Sequence, residues 1–430
     1  MASSFTIKEH VVQAQHIREY PHATAHSQEE VLYLSFKQYI PKSNPTAQLG
    51  DITILASHAN GFIKELYEPL WEDLVAALGR RGVRVRGIWI ADVAWQGQSG
   101  IINENNLGND PSWFDHARDL LLATNHFRKE MPRPIIGVGH SFGANIMVNL
   151  ALLHPRLLSS LVLLDPVLSR FNLRGPKYGL APMVNSVYRR DLWPSLETAV
   201  ASFTRNKFYS TWDPRVLAAW NAHGLRPAPG TKLHPDAPSG SVTLTTSKHQ
   251  EVFTYYRPLA QVYDPSTGKR VPENVDLSKL PDVDPSSVAK HPDFMFYRVE
   301  GGPATVDKLP QLRPGALWLF GGKSDVNPPD VRQEKMDLTG IGVGGSGGEK
   351  AGRVKQVTIE EFGHLVPMEA TTRCAEYAAE FIAGDIHVWR EEDKEYRAWA
   401  EGNTDTDKQM IGREYFEQGW IEQRGKKAKL

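Results

Sequence analysis

A single cysteine, Cys374, occurs in 430 residues, so no disulfide framework holds this chain together. One thiol fits a reducing compartment, and its expected role is ordinary packing on a helix. No apolar run approaches the roughly 18 residues that a membrane-crossing helix needs. Bulk charge of either sign is missing too: 49 Lys and Arg stand against 50 Asp and Glu, a formal net charge of −1. Nothing in that balance attracts nucleic acid. Met1 to Gln13 mixes polar and charged residues and lacks the apolar core of a secretion signal. There is no internal repeat, and neither a cofactor nor a metal is expected. These absences leave a soluble intracellular protein as the expectation.

What is present is concentrated at one point. Gly139-His140-Ser141-Phe142-Gly143 spells G-x-S-x-G, with the apolar run Ile135 to Val138 before it and the helix-compatible run Ala144 to Leu153 after it. A strand, a very tight turn and a helix in that order make a nucleophile elbow, which lifts a serine hydroxyl clear of the backbone. The two glycines are needed because side chains there would collide with the neighbouring strand and helix.

Around the elbow the pattern alternates. Asp51 to Ser57, Val83 to Ile90 and Ser160 to Leu164 read as buried strands, and Leu66 to Leu78 and Ser112 to Arg128 as helices. A loop is expected at Gln96 to Gly100. From Val167 to about Pro314 the alternation stops. This stretch is rich in proline and aromatics (Trp193, Phe203, Trp212, Trp220, Tyr255, Tyr256, Phe294, Tyr297) and reads as a cap rather than more sheet. Arg226 to Gly240 within it reads as a loop. Strands resume at Ala316 to Phe320 and Val354 to Ile359, separated by the glycine-rich loop Gly340 to Gly352, and Ile386 to Arg397 reads as a last surface helix. The expected class is α/β, a mostly parallel central sheet flanked by helices with an inserted cap. Its expected layout is core at 1–166, cap at 167–314, core again at 315–400 and a C-terminal extension at 401–430.

A serine hydroxyl attacks well only when a base takes its proton and an acceptor orients that base. The chain order for an elbow serine is Ser, then Asp or Glu, then His. His364, directly after the last strand, is the expected base, with Gly363 permitting the bend that turns its ring inward. Two acids fit the order: Asp165, which closes the strand after the serine, and Asp325, which follows the next strand. The later position is the commoner one, so residue logic alone leans to Asp325. Two backbone N–H groups should receive the oxyanion, each worth about 3 kcal/mol to the transition state. Phe142 supplies one, and the His58 to Phe62 turn the other, at Asn60.

From about Asp51 to Ala383 the chain resembles the α/β-hydrolase superfamily with a lid inserted. More narrowly it is similar to the fungal peroxisomal acyl-CoA hydrolases of secondary metabolism, with the Alternaria host-selective toxin hydrolases a looser match. The stretches that carry the resemblance are Ile17 to Pro21, Lys64 to Trp71, Asp115 to Leu121, His140 to Gly143 and Gly344 to Gly348. It implies a serine hydrolase acting on a CoA thioester, with uncharged esters as the alternative substrate class. It also implies that the acid is the aspartate closing the strand after the nucleophile, which maps onto Asp165. The chain departs from the pattern at Ala59, where a His-Gly start is usual. The CoA phosphates would need cations, and Arg189, Arg190, Arg205 and Lys207 are the candidates. The last residues, Ala428-Lys429-Leu430, fit the small–basic–Leu pattern read by the peroxisomal import receptor, so a peroxisomal location is expected.

Overall fold

A computed structural model describes residues 4–170, 180–255, 257, 267 and 299–412. Tyr256, Phe294 and Tyr297 of the aromatic set, and Ala428, Lys429 and Leu430 of the tail, lie outside the described residues. Two compact units are present, Met1–Asp385 and Ile386–Leu430. In chain order the strands are β1 (Phe5–Gln13), β2 (Tyr33–Pro41), β3 (Ile52–Ser57), β4 (Val85–Ala91), β5 (Ile135–His140) and β6 (Ser160–Leu164). Then follow β7 (Leu192–Trp193), β8 (Leu225–Pro227), β9 (Val242–Leu244), β10 (Gly315–Gly321) and β11 (Val354–Ile359).

Eight of these strands form one sheet in the order β1-β2-β4-β3-β5-β6-β10-β11. From β4 to β11 every pairing is parallel, whereas β1 with β2 and β2 with β4 are antiparallel. The first two strands are additions to the sequence reading. In β1 only Phe5 and Val12 are buried, while Ile7 and Val11 are exposed, so the alternation that marks a half-buried strand is absent. The central strands give the opposite picture: β3, β5 and β6 are buried along their whole length, the continuous apolar reading of a sheet covered on both faces.

The segment between β6 and β10 holds helices Leu180–Tyr188, Leu196–Arg205, Pro214–His223 and Lys248–Tyr255. It also holds a small antiparallel sheet of its own, β7-β9-β8, separate from the central one and not read from the sequence. Its strands are two or three residues long, too short for a periodicity to register. Trp193, Phe203, Tyr209 and Trp220 pack as a ring cluster with centroids 5.2–6.1 Å apart, which gives the segment its own apolar centre.

Two more expectations change. A short helix, Gly97–Ile102, stands where a loop was expected at Gln96 to Gly100. The last helix runs from Thr371 to Gly402, far beyond Ile386 to Arg397. Cys374 is buried on that helix, its thiol directed at the Val366 carbonyl oxygen at 3.6 Å. Among the described residues no helix is long and apolar enough to cross a membrane.

Candidate active site

Strand β5 ends at His140 and the helix Phe142–Leu153 begins two residues later, which leaves Ser141 alone to reverse the chain. Its backbone takes φ 59° and ψ −123°, a conformation that a non-glycine residue adopts only under constraint. The constraint is visible: the Ser141 N–H donates to Leu164 O at 3.0 Å, and Ser141 O accepts from Val167 N–H at 3.0 Å. Gly143 is required because a Cβ there would collide with the backbone carbonyls of Ser57 and His58, and one at Gly139 would lie 2.5 Å from the Ala144 Cα. Close helix–strand packing therefore pushes the serine hydroxyl toward the carboxyl ends of the strands, where open α/β sheets place their sites.

Asp165 closes the neighbouring strand β6 and also has positive φ, 38°. Fully buried, its carboxylate accepts from Gly321 N–H at 3.0 Å through Oδ1 and from Ser324 Oγ–H at 2.6 Å through Oδ2. The same Oδ2 lies 2.6 Å from His364 Nδ1, and His364 Nε2 lies 2.8 Å from Ser141 Oγ. In this line Nδ1–H donates to the carboxylate, which leaves Nε2 as the acceptor for the serine proton. Asp325, the alternative acid, is exposed on the cavity wall, while Asp165 holds the histidine. The bend into His364 does not rest on Gly363, whose φ is not positive and where a Cβ would meet only ordinary contacts. The glycine that matters is Gly321: a Cβ there would strike the Gly363 carbonyl, so its absence lets the histidine loop approach β10.

The turn after β3 has its amides assigned one by one. Ala59 N–H donates to Tyr67 Oη at 2.8 Å, Gly61 N–H to Gln96 Oε1 at 2.8 Å and Phe62 N–H to Ala59 O at 3.1 Å. From Ala59 to Phe62, Asn60 N–H is the amide left without an acceptor among the described residues. Phe142 N–H opens its helix and so has no partner within it. Both residues line a cavity of about 550 Å³ together with Ser141 and His364. Its wall is rich in aromatics, among them Phe62, Trp113, Phe142, Tyr209, Trp212 and Trp220. Polar residues share it: Asn185, Ser186, Asn206 and Asp325, and Arg189 with Glu251 as an ion pair at 2.6 Å. Of the four candidate phosphate ligands only Arg189 reaches this cavity. Arg190 lies over Trp193, while Arg205 folds onto its own helix and Lys207 is exposed.

Residue reasoning missed three participants. Tyr67, His140 and Glu251 all touch the site, and the first two sit inside stretches that carried the family resemblance, Lys64 to Trp71 and His140 to Gly143. Among the described residues no group of His, Cys, Asp and Glu suits a metal ion.

The model of the alpha/beta hydrolase family matches residues 54–380, most of the chain. This protein is a member of the alpha/beta hydrolase family. The type I acyl-CoA thioesterase mpaH' of Penicillium brevicompactum is 40% identical over 419 residues, 93% of this hydrolase and 92% of its own length. The abhydrolase domain-containing protein AKT2 of Alternaria alternata is 28% identical over 259 residues, 59% of this chain and 85% of its own. Among solved structures, the peroxisomal alpha-beta-hydrolase Lpx1 of Saccharomyces cerevisiae matches with a TM-score of 0.64 at 16% identity, over 93% of this hydrolase and 99% of that chain. The last likeness is one of fold.

Proposed function

We propose that this alpha/beta hydrolase is an acyl-CoA thioesterase that works through an acyl-enzyme on Ser141. The observation that carries the reading is the unbroken line Ser141 Oγ, His364, Asp165 at 2.8 and 2.6 Å, opening on an aromatic cavity. Its likeness across nearly its whole length to a thioesterase of acyl-CoA supports the choice of bond.

As Ser141 Oγ attacks the thioester carbonyl, its proton passes to His364 Nε2, and Asp165 stabilises the imidazolium that forms. The carbonyl oxygen becomes an anion, received by the amides of Asn60 and Phe142. Collapse expels CoA as a thiolate, a good leaving group because a free thiol titrates near about 8.5, and His364 returns the proton. Water, deprotonated by His364, then adds to the acyl-serine, and the acid departs as Ser141 recovers its proton.

One observation favours a second reading, cleavage of uncharged esters: Arg189, the cation on the described cavity wall, is neutralised by Glu251. Thiol release from a panel of acyl-CoAs, with Ser141→Ala alongside, decides between them. Release that vanishes in the variant supports the thioesterase. Cleavage of p-nitrophenyl esters alone, not inhibited by CoA, supports the esterase.

We also propose that the enzyme acts in peroxisomes, as the small–basic–Leu ending Ala428-Lys429-Leu430 suggests. A fluorescent fusion carrying this tail should be punctate in a fungal cell and diffuse once the three residues are removed. A diffuse signal from the intact tail refutes the address.

A further inference from the structure

The ion pair in the cavity wall has no part in the hydrolytic steps. Glu251 comes from the helix Lys248–Tyr255 and is 6% exposed. Its Oε2 accepts from Arg189 Nη1 at 2.6 Å and its Oε1 from Ser186 Oγ–H at 2.6 Å. The Arg189 guanidinium stands 6.0 Å from the Trp220 ring centre, inside the aromatic lining. The pair also adjoins the reaction centre. Asn60 Nδ2 donates to the Glu251 carbonyl oxygen at 2.9 Å, and a Cβ on Gly61 would fall 2.7 Å from the Glu251 carboxyl carbon.

A pocket for a plain hydrocarbon chain gains nothing from this arrangement. Taking two charges out of water carries a penalty that their attraction only partly returns, and apolar residues of the same volume would line such a pocket at least as well. The pair is neutral overall, with a donor and an acceptor side by side in a wall rich in aromatics. A hydroxyl both donates and accepts, and so can satisfy Glu251 and Arg189 together. A carboxylate would meet the like charge of Glu251, and a methylene would make no hydrogen bond to either member of the pair.

We infer that the acyl group taken by this site has an apolar body bearing a neutral hydroxyl, and that Arg189 and Glu251 read that hydroxyl. The inference rests on the thioesterase reading for its substrates and is tested through ratios between matched acyl groups. With the full-length protein, thiol release is measured from decanoyl-CoA, from 3-, 6- and 10-hydroxydecanoyl-CoA, and from the CoA thioester of decanedioic acid. The best hydroxylated isomer should exceed decanoyl-CoA about tenfold in kcat/KM, the effect of one hydrogen bond, and the dicarboxylic thioester should fall below both.

In the double variant Arg189→Met, Glu251→Leu that preference should fall to about unity. Should the double variant fail to fold, Glu251→Gln gives a second reading: it leaves Arg189 uncompensated, so the dicarboxylic thioester should become the preferred substrate. Equal rates for plain and hydroxylated chains in the native enzyme overturn the inference. So does a hydroxyl preference that survives in a folded double variant, or an order of substrates that Glu251→Gln leaves unchanged. If no acyl-CoA is cleaved while p-nitrophenyl esters of the same acids are, the thioesterase reading fails by itself, and the same ratios on those esters decide the inference.

Discussion

His140 Nε2–H donates to the carbonyl oxygen of His364 at 3.1 Å, so the residue before the nucleophile holds the loop that carries the base. Its other nitrogen, Nδ1, accepts from Tyr67 Oη–H at 2.9 Å, and Tyr67 Oη in turn accepts from Ala59 N–H. Burial, aided by the nearby His364, lowers the His140 pKa to about 3 and keeps the ring neutral, as a group that both donates and accepts must be. A buried chain of hydrogen bonds thus joins the turn of Asn60 to the loop of His364. Tyr67 and His140 are positioning residues in it.

Removing the Tyr67 hydroxyl tests that chain. Tyr67→Phe leaves Ala59 N–H and His140 Nδ1 unpaired in the interior, which should cost about 1–3 kcal/mol of stability. It also frees the two halves of the site from each other, so kcat should fall about tenfold while KM changes little. Urea melts and steady-state kinetics measure both. An unaltered kcat in a destabilised protein would reduce the chain to a structural role.

Asp165 and Asp325 separate cleanly by mutation. Asp165→Asn removes the acceptor that fixes the His364 tautomer, and kcat should drop by about 10⁴. Asp325→Asn touches an exposed carboxylate on the cavity wall and should leave kcat within about threefold. The reverse order of effects would reassign the acid.

Gly143→Ala should be among the most damaging single-methyl changes in the chain. The added carbon would collide with the carbonyls of Ser57 and His58, forcing the first turn of the elbow helix away from the oxyanion turn. Backbone cannot swing aside as a side chain can, so we expect a loss above about 3 kcal/mol in thermal or urea unfolding. Near-native stability would show that the helix can shift as a body.

Acid should weaken the fold before it protonates most carboxylates. Burial lowers the pKa of His58, His116 and His140 below the ordinary value of 6.5. Above pH 6.5 these rings are neutral both folded and unfolded. As the pH falls from there, the unfolded chain binds protons that the folded state refuses, so each ring weakens the fold in acid. Asp115 works against this trend: burial raises its pKa to about 6, so the folded state takes up its proton before the unfolded chain does. Three rings act in one direction and one carboxyl in the other. Urea unfolding at pH 7.5 and pH 5.0 should show lower stability at pH 5.0, and equal stabilities would mean that the rings are protonated in the folded state.

Much of the site was legible because its signals are local. Glycines at 139 and 143 and the apolar runs on either side specify the elbow at Ser141, and a histidine straight after the last strand has one obvious use. The central strands were legible too, since burial on both faces leaves an unbroken apolar run. Three matters rest on tertiary structure, although the resemblance points to Asp165 and the turn after the first central strand to Asn60. Asp165 and Asp325 have the same chemistry and both fit the chain order. They differ only in which carboxylate the β6–β10 pairing brings under His364 Nδ1. The free amide of Asn60 is defined by partners 8 and 35 residues away from its neighbours, Tyr67 for Ala59 and Gln96 for Gly61. The Arg189–Glu251 pair joins positions 62 residues apart; the sequence offers Arg189 only as one of four candidate phosphate ligands and gives no sign of Glu251. Local pattern records what each segment does with its own backbone. The choice among chemically equal side chains is made by packing, where distant segments compete for the same few ångströms.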